Sequence, residues 1–304
     1  MSAAAATAAP PTKVQAWKLA VRLPTLTAAV APVAVGTGAA IADDAFNLLP
    51  MLAALFGALC LQIGANFAND VFDFKRGADT ADRLGPPRAT QMGLLSPREM
   101  LIGMWVVFAL AFIAGIYLVY VGGWPIVAVG LASIAGAIIY TGGPWPVGYH
   151  ALGDLFTFVF FGLVAVMGTY YVQADELSWL SFVAAVPMGC TVTLILVVNN
   201  LRDIPTDSKT GKTTLGVVMG DQGTRWWFTF LMAVALVVPF AALGLEVWWG
   251  WIASVAVAPL AWKLLRSIRG GTEGRALNPV LKETARFNLV FGLIWAVGLA
   301  MARL

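Results

Sequence analysis

Two short stretches of this chain gather carboxylates at a spacing that could do chemistry. One runs Asn66-Phe67-Ala68-Asn69-Asp70-Val71-Phe72-Asp73 and continues Phe74-Lys75-Arg76-Gly77-Ala78-Asp79. The other runs Asn199-Asn200-Leu201-Arg202-Asp203-Ile204-Pro205-Thr206-Asp207. Residues three or four apart share a helix face, so Asn66, Asp70 and Asp73 can line up, and so can Asn199, Asp203 and Asp207. Pro205 has no backbone N–H to give and leaves the last turn of the second set open. Four carboxylates converging on one cavity would repel one another without counter-cations. Their hard oxygens suit Mg²⁺, which typically takes one or two carboxylates together with substrate phosphates. Two such clusters, each holding an ion, are what a departing diphosphate requires, because the ions neutralise charge as the carbon–oxygen bond breaks. Lys75, Arg76, Arg88, Arg202, Lys209 and Lys212 are near enough in sequence to bind the remaining phosphate oxygens. One acidic pair at a helix end beside water would be no more than a solvated rim. The repeat of an Asn-led set is what argues for a site. For Lys75 and Arg76, membrane topology alone is an equal explanation.

The elements that must position these residues are membrane helices. Of 304 residues, 60% are hydrophobic and 12% charged, against about 25% charged in a typical soluble domain. The mean hydropathy is +0.81. That leaves too little polar surface for a water-soluble fold. Cys60 and Cys190, both inside apolar runs, and a single histidine exclude a disulfide scaffold and a structural zinc site. The net charge of +3 is small, and no nucleic-acid partner is expected. A hydrocarbon core about 30 Å thick needs roughly 20 apolar residues per helix. Nine segments qualify: 22–41, 48–69, 101–121, 124–141, 153–172, 179–199, 226–244, 247–265 and 285–302. The first follows Lys13, Lys18 and Arg22 in the manner of a signal peptide, but no soluble domain follows it, so it is read as retained. Residues 1–12 read as a disordered tail, and 13–304 as a single all-α, nine-helix transmembrane domain.

Placing the N-terminus in the cytoplasm puts every one of the 19 lysines and arginines except Arg303 on that side. The external connections, with Asp43-Asp44, Gly122-Gly123, Asp175-Glu176 and Glu246, contain no basic residue. This is a positive-inside pattern, and it matches an odd number of crossings. Two cytoplasmic loops, 70–100 and 200–225, are long and rich in charge, Gly and Pro; loops of that length are usually functional or disordered. The acid sets lie four helices apart at one depth, which reads as a parallel internal duplication around a central cavity opening to the cytoplasm.

The segment Asn66–Asp79 resembles the first Asp-rich motif of the UbiA superfamily of intramembrane prenyltransferases, and Asn199–Asp207 resembles the second. Three further stretches look like the 1,4-dihydroxy-2-naphthoate prenyltransferases of menaquinone synthesis. They are Asn200–Ile204 with Thr206-Asp207, Gly211-Lys212 and Thr214-Leu215; Tyr140-Thr141-Gly142-Gly143-Pro144 with Gly148-Tyr149 and Gly153-Asp154; and Leu277–Leu281 with Thr284-Ala285-Arg286. Arg22-Leu23-Pro24-Thr25 fits the family's opening. The resemblance covers nearly the whole chain. Pro205 departs from it, as the subfamily more often has an acidic or polar residue there. The basic residue that hydroxybenzoate-using relatives carry a few positions after the tyrosine matching Tyr140 is absent.

The resemblance implies magnesium-dependent transfer of a polyprenyl group from its diphosphate to the dihydroxynaphthoate ring, with loss of the carboxylate, at the cytoplasmic face of the cell membrane. It assigns Asp70 and Asp73, helped by Asn66, to one Mg²⁺, and Asp203 and Asp207, helped by Asn199 or Asn200, to the other. Arg202 and Lys212 are the leading phosphate ligands, followed by Lys75 and Arg88; Arg22 and Asn69 complete the substrate-binding set. An allylic cation needs a dry site with aromatic faces. Phe67, Phe72, Tyr140, Trp145, Tyr149, Phe156 and Phe160 are the candidates, although an interfacial aromatic belt explains most of them equally well. Tyr140 and Tyr149 stand out because they flank a Gly-Pro turn. Asp154 is an ionisable residue inside a membrane helix, either a base for the acceptor or a helix cap. His150 reads mainly as a surface loop residue. Phytyl diphosphate as donor, homogentisate or hydroxybenzoate as acceptor, and an ion-coupled transporter are the rival readings. The sequence does not fix prenyl length or oligomeric state, and it leaves open whether loop 80–99 is a lid.

Overall fold

The computed structural model describes residues 11–78, 82–245 and 247–303. Most of the expected tail 1–12 lies outside the described residues, as do Asp79 and Glu246. Among the described residues the regular secondary structure is helical apart from one isolated bridge between His150 and Thr213. Thr12 and Gln15 exchange hydrogen bonds, Thr12 N to Gln15 Oε1 at 2.8 Å and Gln15 N to Thr12 Oγ1 at 3.3 Å. This capping box starts α1 (Lys13–Val21). Arg22 then turns left-handed, with φ 54°, and a short 3₁₀ turn leads into α2 (Thr27–Ala42). Next come α3 (Leu48–Lys75), α4 (Pro97–Gly122) and α5 (Trp124–Ile139). Helix α6 (Gly153–Thr157), a π-helical stretch Phe158–Val164 and α7 (Ala165–Ala174) run on as one rod. The chain ends with α8 (Trp179–Asp207), α9 (Leu215–Ala241), α10 (Trp251–Arg269) and α11 (Leu277–Ala300).

Among the described residues, seven segments are long and apolar enough to cross a membrane. Helix α5 is apolar but only 16 residues long, and α11 carries Lys282, Glu283 and Arg286 in its first half.

Several helices run further than hydropathy predicts. Helix α3 continues past 69 to Lys75, α8 passes 199 and Pro205 to reach Asp207, α9 begins at Leu215 rather than 226, and α11 begins at Leu277 rather than 285. The expected long connection 200–225 shrinks to 208–214. Hydropathy registers only the turns that meet hydrocarbon, whereas backbone hydrogen bonding carries a helix on through polar turns. Gly220, at φ 66°, kinks α9 between its short apolar first turn and the polar run Asp221–Arg225. Both acid sets therefore stand on continuous helix.

The deepest core surrounds α8. Leu194, Val197 and Val198 share it with Phe228 and Met232 of α9 and with Phe287, Phe291 and Trp295 of α11. Small residues let backbones meet: a Cβ added at Gly162 would lie 2.5 Å from the Gly189 Cα. Thr191 donates to Asn288 Oδ1 at 2.8 Å, and Asn288 Nδ2 donates to the Thr27 carbonyl at 3.2 Å. This link, buried at Thr191 and Asn288, ties the start of α2 to α8 and α11. A second core joins Ala16 and Ala20 of α1 to Phe67 and Val71 of α3 and to Met100, Met104 and Phe108 of α4.

Candidate active site

Asp70 and Asp73 are both buried at the end of α3. The Asp70 oxygens accept the backbone N–H groups of Ala89 (3.2 Å) and Thr90 (3.1 Å). Asp73 Oδ2 pairs with Arg88 at 2.8 Å, and its Oδ1 accepts the Tyr149 hydroxyl at 2.8 Å. The connection between α3 and α4 is thus folded down onto the helix end by the acids themselves. Asn66, one turn back, gives its amide to the Val21 carbonyl (2.9 Å) and to Thr25 Oγ1 (2.8 Å). It thereby brackets Arg22 in its left-handed turn, close enough for the guanidinium to feel both Asp70 and Asp73. The Nη2 atom of Arg22 is buried without a hydrogen-bond partner among the described residues.

At the end of α8, Asp203 forms a two-point pair with its neighbour Arg202, at 2.8 and 2.6 Å. Arg202 also donates to Asn199 Oδ1 (2.8 Å) and to Asn278 Oδ1 of α11 (2.9 Å). Asn278 in turn donates to the Leu84 carbonyl at 3.0 Å. Gly85 lies flat on the guanidinium: a Cβ there would come within 2.6 Å of Arg202 Nη2. The 82–96 segment therefore touches both acid clusters and lies across them. Asp207 faces Lys212 at 3.9 Å, and its Oδ2 is buried with no hydrogen-bond partner among the described residues.

Tyr149 joins the two halves. Its hydroxyl binds Asp73, and its ring lies 5.4 Å from Lys212 Nζ and 5.6 Å from the Arg76 guanidinium. Burial, and then the neighbouring Asp73 charge, hold its phenol above the ordinary range, so it stays a proton donor. The loops that carry it are stitched together by Thr213 N to Tyr149 O (3.1 Å) and Ala151 N to Thr213 O (2.7 Å). Asp73 and Asp207 are close enough for their charges to act on one another. Beside them, Asp154 is buried at the start of α6, held by Asn200 Nδ2 at 3.4 Å and by the Trp227 indole N–H at 2.8 Å.

The remaining sequence candidates divide. Tyr140 packs on Phe156 at 5.8 Å, and Phe156 on Phe160 at 4.4 Å, forming one aromatic row. Asn69 accepts the Thr141 hydroxyl at 2.9 Å, and Arg76 holds the carbonyls of Thr141 and Gly143. Both fix the turn after Tyr140. Lys75 and Lys209 are exposed. Phe67 is spent on Trp17 in the second core, and Phe72 lies against Gly142. Trp145 stacks on His150 at 4.1 Å, and the histidine Nδ1 meets the Pro146 carbonyl, which leaves it a loop residue. Sequence reasoning missed Trp227 and Asn278 as site residues. Asn278 sat in a motif already singled out; Trp227, in an aromatic run, carried no signal.

Among the described residues no three acidic, histidine or cysteine side chains form a ready-made metal cage. The donor set nevertheless fits Mg²⁺, which needs only one or two carboxylates beside phosphate oxygens. The unpartnered Asp207 Oδ2 is an available oxygen.

A helical membrane bundle with paired acid clusters at one mouth is the architecture of an intramembrane prenyltransferase. The pattern of the UbiA prenyltransferase family matches residues 29–279, and the chain belongs to that family. It is a multi-pass membrane protein and a prenyltransferase. It is 42% identical over 288 residues to the 1,4-dihydroxy-2-naphthoate octaprenyltransferase of Mycobacterium tuberculosis, covering 95% of this chain and 98% of that one. To the Escherichia coli enzyme of the same name it is 35% identical over 96% of this chain and 97% of that one. The apo UbiA homolog from Aeropyrum pernix K1 shares the fold with a TM-score of 0.70 at 18% identity, covering 90% of this chain and 96% of that one. A UbiA homolog from Archaeoglobus fulgidus, bound to GPP and Mg²⁺, aligns with a TM-score of 0.66 at 16% identity over 92% of this chain and 99% of that one.

Proposed function

We propose that this chain transfers a polyprenyl group from polyprenyl diphosphate to 1,4-dihydroxy-2-naphthoate, with loss of the carboxylate as CO₂, giving demethylmenaquinol for menaquinone synthesis. The observation that carries this reading is the run Asp73–Tyr149–Lys212–Asp207, which brings the two acid clusters to one mouth. The naphthoate acceptor is supported by the names of the relatives at 42% and 35% identity. The single domain spans 13–304, crosses the cell membrane nine times and opens toward the cytoplasm, in line with the distribution of Lys and Arg.

Asp70 and Asp73, with Asn66 Oδ1 beside them, would hold one Mg²⁺; Asp203 and Asp207, beside Asn199, would hold the other. Bound there, the ions supply charge neutralisation to the departing diphosphate. Arg22, with its buried Nη2 in want of a partner, Arg88, Arg202 and Lys212 bind the phosphate oxygens. Tyr149 donates its hydroxyl at the same mouth. The carbon–oxygen bond of the donor breaks with its electron pair going to the diphosphate. The Tyr140–Phe156–Phe160 row faces the resulting allylic cation with ring electrons and excludes water. The electron-rich acceptor ring attacks that carbon. Asp154 faces the acceptor.

Quinone profiling tests the proposal in a strain deleted for its own naphthoate prenyltransferase. Complementation with this chain restores menaquinone by mass spectrometry. A strain that stays without menaquinone, or gains only a prenylated benzenoid quinone, contradicts it.

A further inference from the structure

Asn200 lies on the same face of α8 as Asp203, one turn deeper. Its amide reaches Asp154 Oδ1 at a long 3.4 Å, while the Trp227 indole holds Asp154 Oδ2 at 2.8 Å. Asp154 is only 4% exposed, and its hydrogen-bond partners among the described residues are these two neutral donors. A carboxylate has about four acceptor positions, so Oδ1 in particular keeps capacity for a further donor. That acceptor stands at one end of the aromatic row. The Tyr140 hydroxyl lies 3.0 Å from where a Cβ on Gly153 would be, and Phe156 and Phe160 continue the row. The π-helical stretch Phe158–Val164 begins directly after α6, a feature that recurs at functional sites. A row of tilted aromatic rings ending in a buried hydrogen-bond acceptor fits a hydroxylated aromatic ring, and the diphosphate-binding acids are one helical turn away.

We propose that Asp154 accepts a ring hydroxyl of the aromatic acceptor, and that Trp227 of α9 is the positioning residue that aims it. The indole takes one carboxylate oxygen and fixes the plane of the group, so that Oδ1 faces α8. This inference rests on the proposed transfer reaction and adds the recognition of the acceptor to it. Among the described residues the Trp227 indole N–H bonds Asp154 and neither acid cluster, so its effect should fall on the acceptor alone.

The test is steady-state kinetics in membranes, with polyprenyl diphosphate and 1,4-dihydroxy-2-naphthoate varied separately, for wild type, Trp227→Phe, Asp154→Asn and the double variant. Trp227→Leu also lacks the ring N–H, and whichever of the two accumulates in the membrane carries the test. The acceptor KM of the Trp227 variant rises about tenfold, the worth of one hydrogen bond to a charged group. Its donor KM stays within about twofold of wild type, and the double variant is no worse for the acceptor than Asp154→Asn alone, because the two residues act as a unit. Trp227→His, which keeps a ring N–H, recovers part of the loss. An unchanged acceptor KM, equal rises for both substrates, or penalties that add in the double variant overturn the inference. Wild-type membranes that make no naphthoate product refute the proposed reaction itself; active wild type with an indifferent Trp227 variant refutes only this step.

Discussion

Three of the four clustered carboxylates are met by hydrogen-bond donors: Asp70 by two backbone amides, Asp73 by Arg88 and Tyr149, and Asp203 by Arg202. This arrangement offsets much of the repulsion among negative charges held in one buried mouth. Tyr149 is the sharpest probe of it. Its phenol sits above the ordinary range, chiefly through burial and secondly through Asp73. A free phenol ionises near pH ~10. Above that pH the unfolded chain sheds a proton that the folded chain keeps, so this contribution to stability is whole at neutral pH and is lost as pH rises. Thermal melting between about pH 8 and 11 should therefore show a steeper fall for wild type than for Tyr149→Phe; parallel curves would count against the contact. The acids of the site were legible from spacing alone, because i, i+3 and i+4 positions are local. Their partners were not: Trp227 meets Asp154 across 73 residues and Asn278 meets Arg202 across 76, and no local pattern encodes such a meeting.

Among the elements, the 82–96 segment is held by both halves of the bundle through Asp70, Asp73 and Asn278. Asn278→Ala removes its tie at Leu84 and one partner of Arg202, so backbone amides of 82–90 should exchange faster by hydrogen–deuterium mass spectrometry while those of α8 do not. Unchanged protection in the segment would show that the tie is idle. Gly162→Ala places a methyl 2.5 Å from the Gly189 Cα and is expected to cost about 1–3 kcal/mol as overpacking, read as a lower melting temperature in detergent. Wild-type stability would mean that the rod α6–α7 shifts freely against α8. The all-helical architecture followed from the apolar runs, while seven segments among the described residues, not nine, are long and apolar enough to cross a membrane. The helix ends did not follow, because α3 and α8 carry their acids on polar turns beyond the hydrocarbon, where hydropathy has no signal. The π-helical stretch was equally invisible, since Phe158–Val164 is apolar in any helical register.

For the whole molecule, the distribution of lysine and arginine argues for a cytoplasmic N-terminus, since the expected external connections contain neither. Cys60 and Cys190 are both buried, so a single introduced cysteine can report sidedness once they are replaced. An impermeant maleimide should label Lys209→Cys only from the cytoplasmic side and Asp175→Cys only from outside; the reverse pattern would invert the bundle. The convergence of the acid clusters is a property of the folded molecule, since it depends on α3 and α8 ending at one mouth and on the Tyr149 loop closing between them. The most direct measurement is product formation by wild type, Asp73→Ala and Asp207→Ala in membranes, with polyprenyl diphosphate and 1,4-dihydroxy-2-naphthoate, as Mg²⁺ is chelated and restored. Wild type should form prenylated naphthoquinol only with Mg²⁺, and each variant should lose at least about 10²-fold in kcat. Turnover that survives chelation, or that survives loss of either carboxylate, would contradict the account.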